Sequence, residues 1–414
     1  MTVEPENVKS IVALDFDNWV NGGRKSSGLR TLLGKGIFTT DGDDWKRSRA
    51  MLRPSFDRNH VADIHCFESH LQNLLKLVPG NGKTVELSVL FFRLTLDSST
   101  ELLLGQSVSS LCHTGPHEFL EAFDRAQQRC FLYGILGDAW RWLTWDKKAR
   151  QDQKLVFDFV DGVIDKEFLL PASEKQKSSV TFLRQLVQQT HHRENIRSEL
   201  INILVAGRDT TASLLSSLWF VLSTRPDIWH KLQAEVQTLE GRHPDAGQIR
   251  DLRYVRALVK ETLRLYPPVS IDLREASEDT ILPRGGGPDG AAPILAKAGS
   301  VMIWNLYAMQ RRKDLFGHDA NVFRPERWFD DEQTGEKGLR QSWAYVPFHG
   351  GPRLCMGQQL ALNQAIYTTV RLCQEFDAID CRGPPEFEAQ VSLVIRNRGG
   401  VNVGLWQRAR PSST

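Results

Sequence analysis

The clearest pattern of apolar positions runs from near Asn195 through Leu222 (NIRSELINILVAGRDTTASLLSSLWFVL). Apolar residues there cover most of a helical circumference, which predicts a helix that crosses the interior instead of lying on a surface. Thr224 to Pro226 punctuates its end. A second helix is predicted over Leu252 to Tyr266. It stops at Pro267-Pro268, because proline lacks the N–H that a helix needs and clashes with the preceding turn. Helical periodicity dominates from about Trp45 to Leu265. Beyond it the texture changes. Gly285 to Gly290 (GGGPDG) is turn chemistry between short extended pieces. A further helix is predicted near Val301 to Arg311, then an irregular stretch to Phe348, then a last helix after Cys355. Alternation from Val391 to Leu405 predicts a hairpin. The fold class is mainly α with a small β part. No composition shift marks a domain boundary, so residues 1–414 read as one domain.

Composition narrows the function classes. The chain is 41% hydrophobic and 25% charged, ordinary for a globular protein. A net charge of +2 gives no electrostatic support to nucleic-acid binding. The six cysteines show no CxxC pair, which argues against a disulfide framework or a zinc site. The first residues, MTVEPENVKSIVALDF, lack the basic start and apolar core of a signal peptide. No stretch reaches the roughly 20 apolar residues of a membrane span.

Candidate chemistry begins at Phe348-His349-Gly350-Gly351-Pro352-Arg353-Leu354-Cys355-Met356-Gly357. The glycine pair lets the backbone turn tightly and approach a flat cofactor. Cys355 lies just before a helix, whose free N–H groups favour a thiolate. Arg353 offers a fork suited to a carboxylate, and Gly357 leaves room against a ring face. Together these parts suit a thiolate ligand to haem iron, with Arg353 on a haem propionate; the plain alternative is a buried free cysteine in a loop. Glu261 and Arg264 lie three apart on one face of an otherwise apolar helix, so the pair is expected to be buried and to need a third partner. Arg327 is the candidate, against the ordinary alternative of a solvated surface pair. Within the long helix, Ala206-Gly207-Arg208-Asp209-Thr210-Thr211 interrupts the apolar run. Glycine and hydroxyl side chains can open a helix locally, and Asp209 and Thr210 could relay protons there. Trp45 and Arg49, at i and i+4, could address a second haem carboxylate.

These four pieces, in this order, resemble the cytochrome P450 family. Phe348, Gly351, Arg353, Cys355 and Gly357 match every fixed position of its cysteine motif. Glu261 and Arg264 match its ExxR motif, and Arg327 the arginine that completes the triad. Ala206 to Thr211 match its oxygen-activation motif, and Trp45 with Arg49 its propionate-binding helix. Finer text (WKRSRAMLRPSF from Trp45, AGRDTTASLL, and LPRGGGPDG from Leu282) resembles the fungal branch that hydroxylates alkanes and fatty acids. The resemblance implies the family fold, with haem b between the long helix and the cysteine loop, and Cys355 as axial ligand. It implies electrons from NADPH through a separate NADPH-cytochrome P450 reductase, for which Lys46, Arg47 and Arg53 offer a basic docking face. It also implies the cytosolic face of the endoplasmic reticulum, with peripheral membrane association. Members that resemble this chain carry more residues ahead of the tryptophan helix, where only 44 stand here. The usual anchor and first strands are therefore expected to be missing, leaving an exposed sheet edge.

The expected reaction inserts one oxygen atom from O2 into a C–H bond of a hydrophobic substrate: an alkyl chain, a fatty acid or an alkyl-bearing secondary metabolite. Ile203, Leu204, Ala206, Gly207, Val269, Ser270, Ile271 and Leu273 are the expected pocket walls, with the turn near Leu393-Val394. Two alternatives stand beside this reading. One is a hydroperoxide isomerase of the same fold, which needs no proton relay. The other is a degenerate haem protein without catalysis.

Overall fold

The computed structural model describes residues 1–56, 64–113, 115, 117–136, 146–171, 181–330, 335 and 337–408. The first elements are α1 (Pro5–Lys9), which continues as a π turn over Ser10–Leu14, and β1 (Trp19–Val20). Helices α2 (Gly22–Leu33), α3 (Gly42–Leu52) and α4 (Ile64–Leu77) follow, then strand β2 (Asn81–Glu86). Next come α5 (Leu87–Leu104), α6 (Glu118–Leu136), α7 (Lys147–Leu169) and α8 (Phe182–Gln189). The long helix is α9 (Arg193–Thr224), followed by α10 (Pro226–Gln237), α11 (Ala246–Asp251) and α12 (Arg253–Leu265). A β-rich stretch holds β3 (Ile271–Ala276), β4 (Thr280–Gly286), β5 (Ala292–Ala296) and β6 (Val301–Asn305). It gives way to α13 (Leu306–Met309), α14 (Lys313–Phe316) and α15 (Gln358–Glu375). The last strands are β7 (Phe376–Cys381), β8 (Ala389–Val391), β9 (Ile395–Asn397) and β10 (Asn402–Gln407).

The two strongest helical signals hold to within two residues at each end. The β parts were harder to read. Val301–Asn305, expected within a helix, is a strand that pairs antiparallel with β3, as Ile271↔Asn305 through Glu275↔Val301. A short apolar run rich in β-branched and aromatic residues carries no periodicity that separates strand from helix. The expected hairpin over Val391–Leu405 is also divided. Only β8 and β9 pair with each other, while β10 lies between β2 and β7. The helical stretch after Trp45 likewise contains β2, whose partner is some 320 residues away in sequence. At the sheet β1-β3-β6, the outer edge of β6 is met by Thr2, whose N–H donates to Ile303 O at 2.7 Å. That bridge covers one residue of the edge.

Burial places the site. The first half of α9, Ile196 to Val205, belongs to an apolar cluster with α2, α3, α6, α7 and α8. Its second half, Ala212 to Leu222, belongs to a different cluster with α4, α5, α10, α12 and α15. The polar interruption Ala206–Thr211 falls at the seam between them. The cysteine loop touches all three clusters: Tyr345 belongs to the second, Met356 packs on the first, and Val346 joins a third built from the N-terminal segment and the sheet. The long helix and the cysteine loop thus each pack on the same two large clusters.

Candidate active site

The cysteine loop is held by its own backbone. A single 3-10 turn over Gly351–Arg353 precedes Cys355, whose N–H donates to Phe348 O at 3.0 Å. His349 adopts φ +66° and Gly351 φ +60°. The glycine pair also has close protein neighbours, which the sequence did not suggest. A Cβ at Gly351 would lie 1.9 Å from Val12 O, and one at Gly350 would lie 2.6 Å from the Trp343 ring. Both glycines let the loop lie hard against the N-terminal segment and Trp343. Gly357 is different: a Cβ there would meet only Phe56, at an ordinary 3.5 Å, so no protein neighbour demands its absence. Cys355 is exposed, yet burial pushes its thiol pKa up, opposed by the Gly357 N–H and Arg49. A side chain that solvent reaches while protein surrounds it opens onto a concavity.

Arg353 and the tryptophan helix come together. The Arg353 guanidinium stacks 4.5 Å from the Trp45 ring centroid, and Arg49 lies 5.9 Å from the same ring. Arg353 Nη2 donates to Asp41 Oδ1 at 2.7 Å and to Thr40 O at 3.0 Å, while its Nε is buried with no partner. Burial and the neighbouring Arg274 bring its pKa down to about 10. Arg49 donates to Leu354 O at 3.0 Å. The sequence did not reveal a second set of charges on the same flank. Lys25 Nζ meets Asp272 Oδ1 at 2.5 Å, and Arg274 Nη1 meets Asp272 Oδ2 at 3.3 Å. Arg274 Nη2 lies 3.4 Å from His349 Nε2. Burial and Arg274 hold His349 down to about 4, so it is neutral near pH 7. The available signal was the alternation of β3, which puts Asp272 and Arg274 on one face and Ile271 with Leu273 on the other.

The long helix stays a regular α-helix through its polar interruption, contrary to the expected local opening. Thr210 Oγ1 donates to Ala206 O at 2.7 Å, so the hydroxyl closes on its own helix. From Ser198 to Ser223 the residues Ala206, Gly207 and Thr210 are the ones not buried. Gly207 also presses toward α5, where a Cβ would lie 3.0 Å from Ser99 Oγ. Asp209 looks elsewhere. Its Oδ1 takes Arg208 Nη1 at 3.1 Å, Arg396 Nη2 stands at 3.8 Å, and the Gln127 side chain also faces the carboxylate. Burial pushes its pKa up, against the pull of Arg208 and Arg396.

The expected triad is assembled. Glu261 and Arg264 are fully buried, with Nη2 on Oε1 at 2.7 Å and Nε on Oε2 at 3.0 Å. Arg327 Nε joins Oε1 at 2.8 Å. Trp328 Nε1 (on Oε2), the Gln310 and Ala320 carbonyls (on Arg264) and Asp319 (on Arg327) complete it, and sequence reasoning did not find them.

Segments expected to wall a pocket are joined at Ile395. Its N–H donates to Pro268 O at 2.8 Å, and its carbonyl accepts from Ser213 Oγ of α9 at 2.6 Å. That ties the segment of Val269, Ser270, Ile271 and Leu273 to the long helix and to the turn at Leu393-Val394. Val269 and Ile271 are each 39% exposed, as is Leu354 beside the cysteine. Ile203 and Leu204 are buried in the α9 cluster behind this wall. Of the expected basic docking face, Lys46 and Arg47 pair with Asp43 and Asp44 on their own helix.

These residues fit a haem. An unmet buried guanidinium N–H, a cluster of cations, an exposed thiol and exposed apolar side chains around it suit an amphiphilic disc with carboxylates at one edge. The comparison with known proteins agrees. The cytochrome P450 family model matches residues 3–401. Cytochrome P450 monooxygenase himC of Aspergillus japonicus is 44% identical over 98% of this chain and 74% of its own length. Cytochrome P450 monooxygenase fsdH of Fusarium heterosporum is 39% identical over 98% of this chain and 73% of its own. Cytochrome P450 52A4 of Candida maltosa is 42% identical, over 98% and 78%. Likeness of this extent means that the chain belongs to the cytochrome P450 family of haem-thiolate monooxygenases.

Proposed function

We propose that this chain inserts one oxygen atom of O2 into a C–H bond of a long alkyl chain, in a fatty acid, an alkane or an alkyl-bearing secondary metabolite. The observation that carries this reading is the single opening in the buried length of α9, at Ala206, Gly207 and Thr210, in a helix that packs on the same two clusters as the cysteine loop. Cys355 would hold haem b as a thiolate ligand, and the group would supply oxygen activation. The chain's own residues supply position and protons. Val269, Ile271 and Leu273 give an apolar wall that selects a hydrophobic substrate and excludes water. Arg353, Arg274 and Lys25 would hold the haem carboxylates. Thr210 commits its hydrogen to Ala206 O, which leaves its oxygen to accept a hydrogen bond. Asp209, buried, carries a proton more readily than an ordinary aspartate. Because Asp209 faces Arg208 and Arg396, its proton reaches the Thr210 side through water.

Electrons come from NADPH through a separate reductase on the cysteine side, at the cytosolic face of the endoplasmic reticulum. No helix among the described residues is long and apolar enough to cross a membrane. A cavity of about 210 Å³ on the cysteine side is lined by Lys260, Arg340, Phe348 and Leu354 and offers a second place for an acidic partner beside Lys46 and Arg47. The test supplies purified enzyme with reductase, NADPH and a graded series of alkanes and fatty acids. Expected are a thiolate-type Soret band in the reduced carbon monoxide complex and NADPH-dependent hydroxylated product. A neutral-ligand band overturns the haem-thiolate assignment. Conversion of preformed hydroperoxides without NADPH, with no hydroxylation, selects the isomerase.

A further inference from the structure

The reaction just described makes no use of one buried acid. Glu199 on α9 is 1% exposed. It accepts from the Ile37 N–H, at 3.2 Å to Oε2, and from the Ser48 hydroxyl of α3. Among the described residues no cation is hydrogen-bonded to it. The charges on the surrounding elements are engaged elsewhere: Arg197 with Asp161 of α7, Arg30 of α2 with Thr39 O, Arg49 of α3 with Leu354 O, and Arg353 with Asp41. Lys35, on the facing loop, is exposed.

The loop that Glu199 touches, residues 34–41, is unusually close to the helix. Gly34 and Gly36 permit this, because a Cβ on either would lie 2.2 Å from Ser198 Oγ or 2.4 Å from Asn202 Nδ2. Asn202 grips the same loop at both ends, accepting from the Phe38 N–H at 3.1 Å and donating to Leu33 O at 2.8 Å. The far side of the loop belongs to the cysteine loop. Arg353 donates to Ile37 O at 3.4 Å and to Thr40 O at 3.0 Å. The Ile37 peptide therefore carries Glu199 on its N–H and Arg353 on its carbonyl.

We propose that Glu199 is a proton-controlled latch on residues 34–41: neutral, it holds the loop between the long helix and Arg353; ionised, it releases the loop and slackens the hold on Arg353. Glu199 is a positioning residue here, acting through Ile37. The neutral form still accepts the Ile37 N–H. The ionised form is a buried carboxylate without a cation, which favours any state that admits water. Burial pushes its pKa up to about 7, from an ordinary 4.5. The closed-state value is the raised one. Closure is thus fully held below the ordinary carboxyl range and weakens as pH rises from there, until the loss is complete above 7. A separation of that size weakens closure by roughly 300-fold in all. The inference rests on the chain's own contacts and is independent of the substrate assigned above.

The test is hydrogen–deuterium exchange of the haem-loaded full chain between pH 5 and 8.5, expressed as protection factors so that the intrinsic pH dependence of exchange is removed. Residues 34–41 are expected to lose protection on the order of a hundredfold, mostly between pH 5 and 7, with a midpoint near 7 for the opening constant on its way to its high-pH plateau, while α12 stays unchanged. Haem transfer to an acceptor globin is expected to speed up over the same range. Glu199→Gln keeps the acceptor and removes the ionisation, so both profiles should become flat at the protected level. Ser48→Ala removes a bond that favours the charged form and should move the midpoint upward. A flat wild-type profile, or a transition that survives in Glu199→Gln, overturns the proposal. If Glu199→Gln does not fold, a midpoint unmoved by Ser48→Ala overturns it in the same way.

Discussion

Two sets of arginines lie inside this protein, and they differ in what the chain alone provides for them. Around Glu261 the accounting closes. The carboxylate accepts from Arg264, Arg327, Trp328 and the Arg324 backbone, and no side-chain N or O of Glu261, Arg264 or Arg327 lacks a partner. Around Arg353 it does not. One N–H is buried and unmet, the adjoining Leu354 and Cys355 are exposed, and Arg274, Lys25 and Arg353 crowd a flank with Asp41 and Asp272 as counter-charges. Polar groups buried in a folded protein are as a rule satisfied. A set that is complete without a ligand holds the fold, and a set that is not marks where a ligand belongs.

The largest expected effect tests the complete set. Glu261→Gln leaves two buried guanidinium groups facing an uncharged amide. Breaking a buried pair in this way costs about 3–5 kcal/mol, because the remaining charge keeps its desolvation penalty. Denaturant unfolding of the haem-free chain should show the loss, and haem binding should fail as a consequence. If stability were unchanged and only turnover fell, the contrast between the two sets would collapse.

The intermediate effect tests the incomplete set. Arg353→Gln should destabilise the haem-free chain less than Glu261→Gln does, since the Asp41 it leaves behind is 27% exposed and solvent can meet its charge. Haem retention should fall much further. Hydrogen bonds to charged groups contribute about 1.5–3 kcal/mol each, so release to an acceptor globin is expected to speed up roughly ten- to a hundredfold. Equal losses in both measurements would make Arg353 structural.

The two sets were not equally legible. Glu261 and Arg264 declare themselves by a three-residue spacing on an apolar helix, and Arg327 by its place in a proline- and tryptophan-bearing stretch. The groups that satisfy them come from about 50 residues further on, and nothing local to Glu261 points to Gln310 or Asp319. At the cysteine loop the ligand was legible because the motif is contiguous. The role of Gly350 and Gly351 was not, because it depends on Val12 arriving from the far end of the sequence. Arg274 was hidden for a related reason: β3 gains its alternating faces only when β6 pairs with it, and β6 had the composition of a helix or a strand alike. Glu199 was hidden in the long helix itself. A single acid in an amphipathic pattern reads as a solvated charge until the loop that buries it is in place.

The smallest expected effect sharpens the boundary of the incomplete set, and it falls on Arg49. The resemblance places this residue on a haem carboxylate. The structure engages it with Leu354 O at 3.0 Å and with the Trp45 ring. If Arg49 acts only through the Leu354 backbone, Arg49→Ala removes one hydrogen bond of ordinary net value, about 0.5–1.5 kcal/mol, and haem release should rise roughly two- to tenfold. If instead it rotates onto the carboxylate when haem binds, the loss should approach that of Arg353→Gln. The double variant separates these cases. Two residues that share one carboxylate should show a coupling of about 0.5–3 kcal/mol, whereas a residue that supports the loop from behind should add its effect independently. The engagement seen with Leu354 favours near-additivity, with Arg49 as a brace for the loop and Arg353 as the direct contact.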